Sequence, residues 1–265
     1  MTTTDFDIQF PGYQLRARQI SNPAAAPQNP TLVFLHDSLG CIKLWRDFPE
    51  QLARLTNCNA LIYDRRGYGK SSPFSSIKRT NLYLEEEAQL LPEILQISEV
   101  NKAILFGHSD GGTIALVAAA LFPGLVQAII TEGAHVFVED VTLAGIREAE
   151  KLYLTTNLKD RLAKYHSDKT DAVFSAWANT WLSPEFRSWN IEKYLPQISC
   201  PALIIQGEKD EYGTQKQVAA ITGPLAGNAT AHLIPDIGHT PHKEAAEEVL
   251  AVSAIFINEV LLATK

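Results

Sequence analysis

The sequence predicts an α/β fold with a mostly parallel, eight-stranded sheet flanked by helices. Short, continuous apolar runs are typical of strands buried on both faces, and they recur at residues 31–35, 60–63, 102–106, 126–130, 202–206 and 230–234. Segments with helical spacing follow at 44–55, 82–95, 113–122, 215–225 and 243–262. Strands that alternate with helices form a mostly parallel sheet covered on both faces.

An edge hairpin and an inserted segment complete the predicted architecture. Residues 6–10 and 13–20 alternate apolar and polar side chains around a Pro-Gly turn, which predicts the hairpin. From 135 to 197 the sequence becomes mostly helical and rich in aromatic residues. We expect a core of residues 1–134 and 198–265, with 135–197 as a helical lid (cap) over the strand ends, where ligands bind. Alternatively, these aromatic side chains only fill a helical subdomain.

Composition excludes several classes of protein. The chain has 265 residues, 46% of them hydrophobic and 20% charged, which is typical of a globular domain. A net charge of −7 argues against nucleic-acid or anionic-membrane partners. We find no secretory signal and no apolar run near the roughly 20 residues needed to span a bilayer. The separated Cys41, Cys58 and Cys200 predict reduced thiols, and we expect a cytoplasmic monomer or homodimer.

A G-x-S-x-G motif at 107–111 joins a predicted strand to a predicted helix. A strand that turns directly into a helix holds the central residue, Ser109, in a strained and exposed conformation. The flanking Gly107 and Gly111 fit because the backbone is crowded there. The helix N-terminus also favours developing negative charge. The alternative is a tight glycine turn with an incidental serine.

A serine nucleophile needs a base, and the base needs a carboxylate to orient it. His239 follows a glycine in the loop after the last predicted strand, and we favour it as the base. His242, at the start of the final helix, is the competitor. Asp210 follows the preceding strand and is our candidate for the carboxylate.

Other carboxylates near these positions leave alternatives open. Glu208 and Glu211 flank Asp210, and we expect both to face solvent. A different architecture would take its acid from Glu132, after the strand that follows the Ser109 helix. The favoured chain order is therefore serine, aspartate, histidine.

The chain resembles the α/β-hydrolase fold family along nearly its whole length. The resemblance is carried by the G-H-S-D-G elbow at 107–111, the D-x-R-G-x-G-x-S loop at 64–71, the G-x-x-D at 207–210 with Gly238-His239, and the His36 loop. These features are specific for fold and machinery but not for substrate, because the fold hosts many activities. Ser109 in place of an aspartate sets the chain apart from the haloalkane dehalogenases of this fold.

The resemblance also implies an oxyanion hole, with one departure. Family members commonly carry His-Gly where this chain has His36-Asp37. By position, the backbone N–H groups of Ser38 and Asp110 would be the donors. A carboxylate in the hole would oppose an oxyanion, so we expect the Asp37 and Asp110 side chains to point away from it. If Asp37 faces the pocket instead, anionic substrates are disfavoured.

The leading hypothesis is a cofactor-free serine hydrolase of small carboxylic esters or lactones. We expect its pocket to contain His36, Trp45, His108, Trp177 and Trp181. One alternative is a hydrolase of carbon–carbon bonds in dienoic keto-acids, which requires a cationic group near the pocket. The sequence alone does not place Arg147, Arg161 or Arg187 there. Another alternative is a ligand-binding receptor that retains the triad. We expect no metal, since His36, His108 and His239 lie on separate loops without ligand spacing.

Overall fold

The computed structural model describes residues 1–225 and 228–263. These residues form an eight-stranded sheet, and its strands in chain order are β1 Thr2–Phe10, β2 Tyr13–Ser21, β3 Thr31–Leu35, β4 Ala60–Tyr63, β5 Ala103–His108, β6 Val126–Glu132, β7 Ala202–Gly207 and β8 Ala229–Ile234. The order across the sheet is β1-β2-β4-β3-β5-β6-β7-β8. The β1–β2 and β2–β4 pairs are antiparallel and the other pairs are parallel. The predicted fold class is confirmed.

Helices cover both faces of this sheet. In chain order they are α1 Phe48–Thr56, α2 Tyr83–Ile97, α3 Asp110–Leu121, α4 Asp140–Thr155, α5 Leu158–His166, α6 Thr170–Trp181, α7 Gln215–Thr222, α8 Pro241–Glu244 and α9 Ala246–Ala263. One buried apolar cluster includes residues of α2 and α3, and a second includes residues of α1 and α9. The strands of the central sheet contribute alternate residues to the two clusters, as expected for a sheet buried on both faces.

Two predicted helices begin differently from the sequence-based expectation. The segment predicted as a helix over 44–55 is a short 3₁₀ turn at Ile42–Trp45 followed by α1. Arg46 separates the two with a positive φ of 53°. The final helix, predicted over 243–262, is divided into α8 and α9 at Ala245, whose φ and ψ of −134° and 48° lie outside the helical region.

The segment between β6 and β7 contains α4, α5, α6 and two further 3₁₀ turns, at Pro184–Ser188 and Glu192–Gln197. We call residues 135–197 the inserted segment. Its aromatic side chains pack on each other: the Trp181 ring lies 5.0 Å from Phe186 and 5.5 Å from Trp189. Trp177 and Trp181 belong to the same buried cluster as α2 and α3. The inserted segment therefore packs on one face of the core.

Candidate active site

Ser109 occupies a strained turn between β5 and α3. Its φ and ψ are 54° and −117°, a region that residues with a side chain rarely adopt. Crowding fixes the neighbouring glycines. A Cβ on Gly107 would lie 2.2 Å from the carbonyl oxygen of Gly111, and a Cβ on Gly111 would lie 1.9 Å from that of Leu35. The G-x-S-x-G spacing is thus required by backbone contacts on both sides of the serine.

His239 and Asp210 form a buried imidazole–carboxylate pair. The Nδ1 atom of His239 lies 2.9 Å from each carboxylate oxygen of Asp210. Asp210 also accepts hydrogen bonds from the backbone N–H groups of Tyr212 and Gly213, at 2.8 and 3.2 Å. Since the carboxylate accepts, Nδ1 carries the hydrogen and the neutral ring leaves Nε2 as a proton acceptor. Asp210 follows β7 and His239 follows β8, as predicted.

The two groups shift each other's pKa. Burial alone would lower the pKa of His239, but the charge and the hydrogen bond of Asp210 outweigh it, so the pKa lies above its usual value. Burial alone would raise the pKa of Asp210, yet the His239 charge and hydrogen bond hold it below its usual value. Asp210 is therefore ionised at neutral pH, and it favours a proton on His239.

Ser109 and His239 both line a cavity of about 380 Å³. Its other lining residues come from the β3–α1 loop, the elbow, the inserted segment and the loops after β7 and β8: Asp37, Ser38, Leu39, His108, Asp110, His135, Thr142, Ile146, Leu158, Arg161, Trp177, Trp181, Glu211, Tyr212 and Thr240. The volume is within the range of small-molecule sites. Of the predicted pocket residues, His108, Trp177 and Trp181 line this cavity.

Ser38 and Asp110 lie at the cavity as the oxyanion-hole prediction requires. Neither backbone N–H donates a hydrogen bond to any group in residues 1–225 and 228–263. The Asp110 side chain turns away from the cavity, as expected: its oxygens accept from the Tyr83 hydroxyl at 3.0 Å and from the Arg65 guanidinium at 3.4 Å. Two free N–H groups near the elbow are the arrangement that stabilises an oxyanion.

The Asp37 side chain was expected to point away from the oxyanion hole, and it does so only in part. Its carboxylate accepts a hydrogen bond from the backbone N–H of Leu39, at 3.4 Å within its own loop. The residue also lines the cavity, however, and a quarter of its side chain is exposed. The nearest imidazole nitrogen is Nδ1 of His108, 3.7 Å away. The cavity therefore has an acidic residue beside the candidate oxyanion hole, which disfavours anionic groups at that end.

A family model described as alpha/beta hydrolase fold matches residues 30–190 of the chain. The chain belongs to the alpha/beta hydrolase fold family. Serine hydrolase BPHL of Homo sapiens is 30% identical over 222 residues, which cover 80% of this chain and 74% of that protein. A 2-succinyl-6-hydroxy-2,4-cyclohexadiene-1-carboxylate synthase of Enterobacter sp. (strain 638) is 25% identical over 260 residues, 87% of this chain and 93% of the synthase.

Solved structures share the fold of this alpha/beta hydrolase. The crystal structure of serine hydrolase CCSP0084 from Cycloclasticus zankles superposes with a TM-score of 0.79 at 16% identity, covering 97% of this chain and 98% of that one. The crystal structure of MGS-M2, an alpha/beta hydrolase enzyme from a deep-sea metagenome library of the Medee basin, has a TM-score of 0.75 at 20% identity, covering 95% and 96%. At these identities the likeness extends to the fold alone.

In this alpha/beta hydrolase, two predicted pocket residues lie elsewhere. His36 is buried between loops: its Nε2 accepts from the Arg65 backbone N–H at 3.0 Å and its Nδ1 donates to the Asp37 carbonyl at 2.7 Å. Trp45 is buried against His242 and Phe34, with ring centroids 4.6 and 5.3 Å away. The pocket prediction is corrected for both residues, because each completes the packing beneath the site.

In this hydrolase, the competing base His242 and the alternative acid Glu132 contact each other. His242 Nδ1 lies 2.6 Å from the carboxylate of Glu132, and both side chains are buried. Glu211 is exposed, as expected, and it also accepts a hydrogen bond from the His239 backbone N–H at 3.2 Å and lines the cavity. The alternatives named from the sequence thus surround the His239 segment without replacing Asp210 as its partner.

Several site residues escaped the sequence-based reasoning. Gly133 has a φ of +55°, and a Cβ there would lie 2.8 Å from Cε1 of His239, so the position must stay open for the imidazole. Its position after a predicted strand was the available signal. Tyr212 packs on the His239 ring at 4.8 Å, and Arg161 reaches the cavity from α5. Arg187 instead pairs with Asp140, 2.5 Å away.

No helix within residues 1–225 and 228–263 is both long enough and apolar enough to cross a membrane. In the same residues, no cluster of three or more histidine, cysteine or acidic side chains is arranged to hold a metal ion.

Proposed function

We propose that this alpha/beta hydrolase is a serine hydrolase of small carboxylic esters or lactones, with Ser109 as nucleophile, His239 as base and Asp210 as orienting acid. The observation that carries the proposal is the His239–Asp210 pair, joined at 2.9 Å and sharing a cavity with a strained serine. The relative from Homo sapiens is itself named a serine hydrolase.

The proposed reaction proceeds through an acyl-enzyme. His239 Nε2 takes the proton of the Ser109 hydroxyl as its oxygen attacks the substrate carbonyl. The backbone N–H groups of Ser38 and Asp110 stabilise the resulting oxyanion. The imidazolium then protonates the departing alcohol. A water molecule, deprotonated by the same imidazole, attacks the acyl carbon. The bond between this carbon and the Ser109 oxygen then breaks, the imidazolium returns its proton to that oxygen, and the acid is released.

The inserted segment is proposed as the lid of this site. Trp177 and Trp181 of α6 cover the cavity with apolar surface, while Thr142 and Arg161 contribute polar groups from α4 and α5. A lining that combines apolar indole surface with polar and charged groups suits a small organic substrate that carries polar groups of its own. The division into a core of 1–134 and 198–265 and a lid of 135–197 is part of this proposal.

Turnover of p-nitrophenyl acetate and labelling by a fluorophosphonate test the assignment. We expect the wild-type protein to label and to hydrolyse the ester. Ser109→Ala should lose both, while the exposed Ser75→Ala should keep both. A folded wild-type protein that neither labels nor hydrolyses any activated ester contradicts the proposal. That outcome would favour the receptor alternative, for which Leu154 of α4, 83% exposed, is a candidate contact.

A carbon–carbon hydrolase of dienoic keto-acids is the second candidate, and Arg161 is the observation that favours it. Arg161 lines the cavity and supplies the cationic group that a substrate carboxylate needs. Asp37 lines the same cavity, and its negative charge opposes binding of an anionic substrate. Arg161→Met should lower kcat/KM for a ring-cleavage dienoate and spare an acetate ester. Arg147→Met, on the exposed surface of α4, is the matched control.

A further inference from the structure

A second imidazole–carboxylate pair lies behind the first. Glu132 is the last residue of β6, and His242 lies in α8. Their side chains are 0% and 3% exposed, and His242 Nδ1 lies 2.6 Å from Glu132 Oε2. Glu132 Oε1 is buried and has no hydrogen-bond partner among the described residues. A buried carboxyl group with a single side-chain partner costs stability, because one of its oxygens has lost its hydration without replacement. Such a group therefore calls for an explanation.

His108 joins this pair to His239. Its ring centroid lies 5.0 Å from that of His242 and 5.1 Å from that of His239. His108 Nε2 is 2.8 Å from the backbone carbonyl of His239. Because a carbonyl only accepts, Nε2 donates the hydrogen bond. Three imidazoles thus lie in a row between the Glu132 carboxyl and the Asp210 carboxyl.

The row fixes a short segment of chain at several points. His239 and His242 are three residues apart, and they are held by Asp210 after β7, by Glu132 at the end of β6 and by His108 at the end of β5. Three neighbouring strands therefore hold the segment that carries the candidate base. Such support fixes a reacting nitrogen to the fraction of an ångström that proton transfer requires.

We propose that Glu132 and His242 are positioning residues for His239, and that the negative charge of Glu132 stabilises the imidazolium that His239 becomes. This inference rests on the proposed function. His108 is the contact through which the pair holds the His239 backbone.

The local charges decide when Glu132 is ionised. Burial raises the pKa of Glu132 to about 7 and lowers that of His242 to about 3. The charged or titratable groups that face Glu132 are His108 from β5, His239 from the loop after β8, and Lys243 beside His242 in α8. Those that face His242 are Lys243, His239, Asp37 and Arg46. Glu132 therefore acquires its charge near neutral pH.

The charge has a defined direction of effect. A negative charge near His239 favours the protonated ring and so raises its pKa. Glu132→Gln keeps the shape and the hydrogen-bonding capacity of the side chain but removes this charge. The kcat/KM of the variant should therefore equal that of the wild type at acidic pH and be lower than it at alkaline pH.

The experiment compares kcat/KM for p-nitrophenyl acetate in the wild type and in Glu132→Gln. We expect a ratio near one at about pH 6, growing to about tenfold in favour of the wild type near pH 9, carried by kcat rather than KM. Glu93→Gln, on the exposed surface of α2, should match the wild type throughout. A ratio that does not change with pH overturns the role of the charge.

A second readout does not depend on turnover. Titration of the His239 ring by nitrogen-15 NMR should give a lower pKa in Glu132→Gln than in the wild type, and an unchanged value overturns the inference. If no ester is hydrolysed, the proposed function fails while this titration still decides the inference. If Glu132→Gln does not fold, His242→Gln replaces it: a shifted His239 resonance supports the inference, and an unchanged one contradicts it.

Discussion

Ser109 holds its position at an energetic cost. A φ of 54° with a ψ of −117° is a region that glycine adopts freely and serine does not. The surrounding contacts enforce it: the Ser109 N–H donates to the Glu132 carbonyl at 2.8 Å, and the Gly112 N–H donates to the Ser109 carbonyl at 2.9 Å. In this strained conformation, the Ser109 side chain lies at the cavity.

Replacement of Ser109 separates this strain from catalysis. The free energy of unfolding of Ser109→Gly should exceed that of Ser109→Ala by about 1 kcal/mol, because glycine relieves the backbone strain and alanine does not. Both variants should lose ester turnover. Urea denaturation followed by circular dichroism measures the difference. Equal stability of the two variants would mean that the turn is not strained.

Gly133 is a second residue whose lack of a side chain matters. A Cβ there would lie 2.8 Å from Cε1 and 2.9 Å from Nδ1 of His239, at a φ of +55°. Gly133→Ala should displace the imidazole, lower kcat by about a hundredfold and cost about 1–2 kcal/mol of stability. Kinetics and thermal melting check both values. Gly124→Ala is the control, since a Cβ there meets nothing within 4 Å.

The Asp210–His239 pair predicts the pH dependence of the proposed reaction. As the proposed base, His239 would act only when neutral, and its pKa lies above the usual 6.5. Activity should therefore rise with pH through an apparent pKa above 6.5. Asp210→Asn should lower that apparent pKa and reduce kcat by about 10³–10⁴. An apparent pKa that does not respond to Asp210→Asn would contradict the pairing.

The residues that sequence reasoning identified share one property. Ser109, Asp210 and His239 each follow a strand at a fixed, local spacing, so motif and chain order were sufficient to select them. Gly133 and Asp37 could not be assigned in this way, because their importance depends on a contact with a distant part of the chain. Gly133 faces His239, and Asp37 faces His108.

At the scale of elements, a chain of hydrogen bonds links the inserted segment to the nucleophile helix. The Trp181 indole N–H of α6 donates to the Tyr83 hydroxyl of α2 at 2.8 Å, and that hydroxyl donates to Asp110 of α3 at 3.0 Å. Arg65, fully buried, contacts the other Asp110 oxygen at 3.4 Å. Asp110 is also a candidate oxyanion donor through its backbone. Three helices are thereby tied to one residue of the site.

Tyr83→Phe should break this chain. The change leaves a buried carboxylate oxygen and a buried indole N–H without their partner, which should cost about 2 kcal/mol of stability and lower kcat. Tyr153→Phe is the matched control: it removes a hydroxyl that donates to exposed Asp171 at 2.6 Å and should cost less than about 1 kcal/mol. Urea denaturation of the two variants measures the contrast, and equal losses would mean that the link adds no stability.

The elements themselves were the most predictable part. Every strand and most helices follow from the hydrophobic pattern, because burial on both faces gives a strand a continuous apolar run and burial on one face gives an element a period. The breaks at Arg46 and Ala245 do not follow, since they depend on how α1 and α8 pack against the sheet. The Trp181–Tyr83–Asp110 chain is equally invisible in the sequence, because its members lie 98 and 27 residues apart.

At the scale of the whole molecule, buried histidines connect the site to stability. The chain has seven histidines. Burial lowers the pKa of five of them, which are His36, His108, His135, His166 and His242. Each is neutral in the folded state and hydrogen-bonded to the surrounding chain. These contacts join residues far apart in the chain, so this role of the histidines is not visible in the sequence.

This distribution predicts the pH dependence of folding. A histidine with a lowered folded pKa takes up its proton first in the unfolded chain, so its stabilising contribution is present above the unfolded value of 6.5 and is lost as pH falls below it. His239, with a raised pKa, opposes this trend. Glu132 opposes it as well. Its pKa is raised from 4.5 to about 7 in the folded state, so its contribution to the free energy of unfolding increases as pH falls through that range.

Burial also raises the pKa of Asp64, Glu85 and Glu87, but these carboxyls start from ordinary values of 3.8 and 4.5 and oppose the trend mainly at lower pH. Between pH 7 and 5 we therefore expect the five lowered histidines to dominate and the free energy of unfolding to fall. The limit for each group is about 1.4 kcal/mol per pH unit. Urea denaturation at several pH values measures the slope. His166→Gln should flatten it, because His166 joins Gly69 N–H and the Leu39 carbonyl between two loops, and glutamine does not titrate. A slope that is flat in the wild type would mean that the buried imidazoles take up protons without loss of the fold.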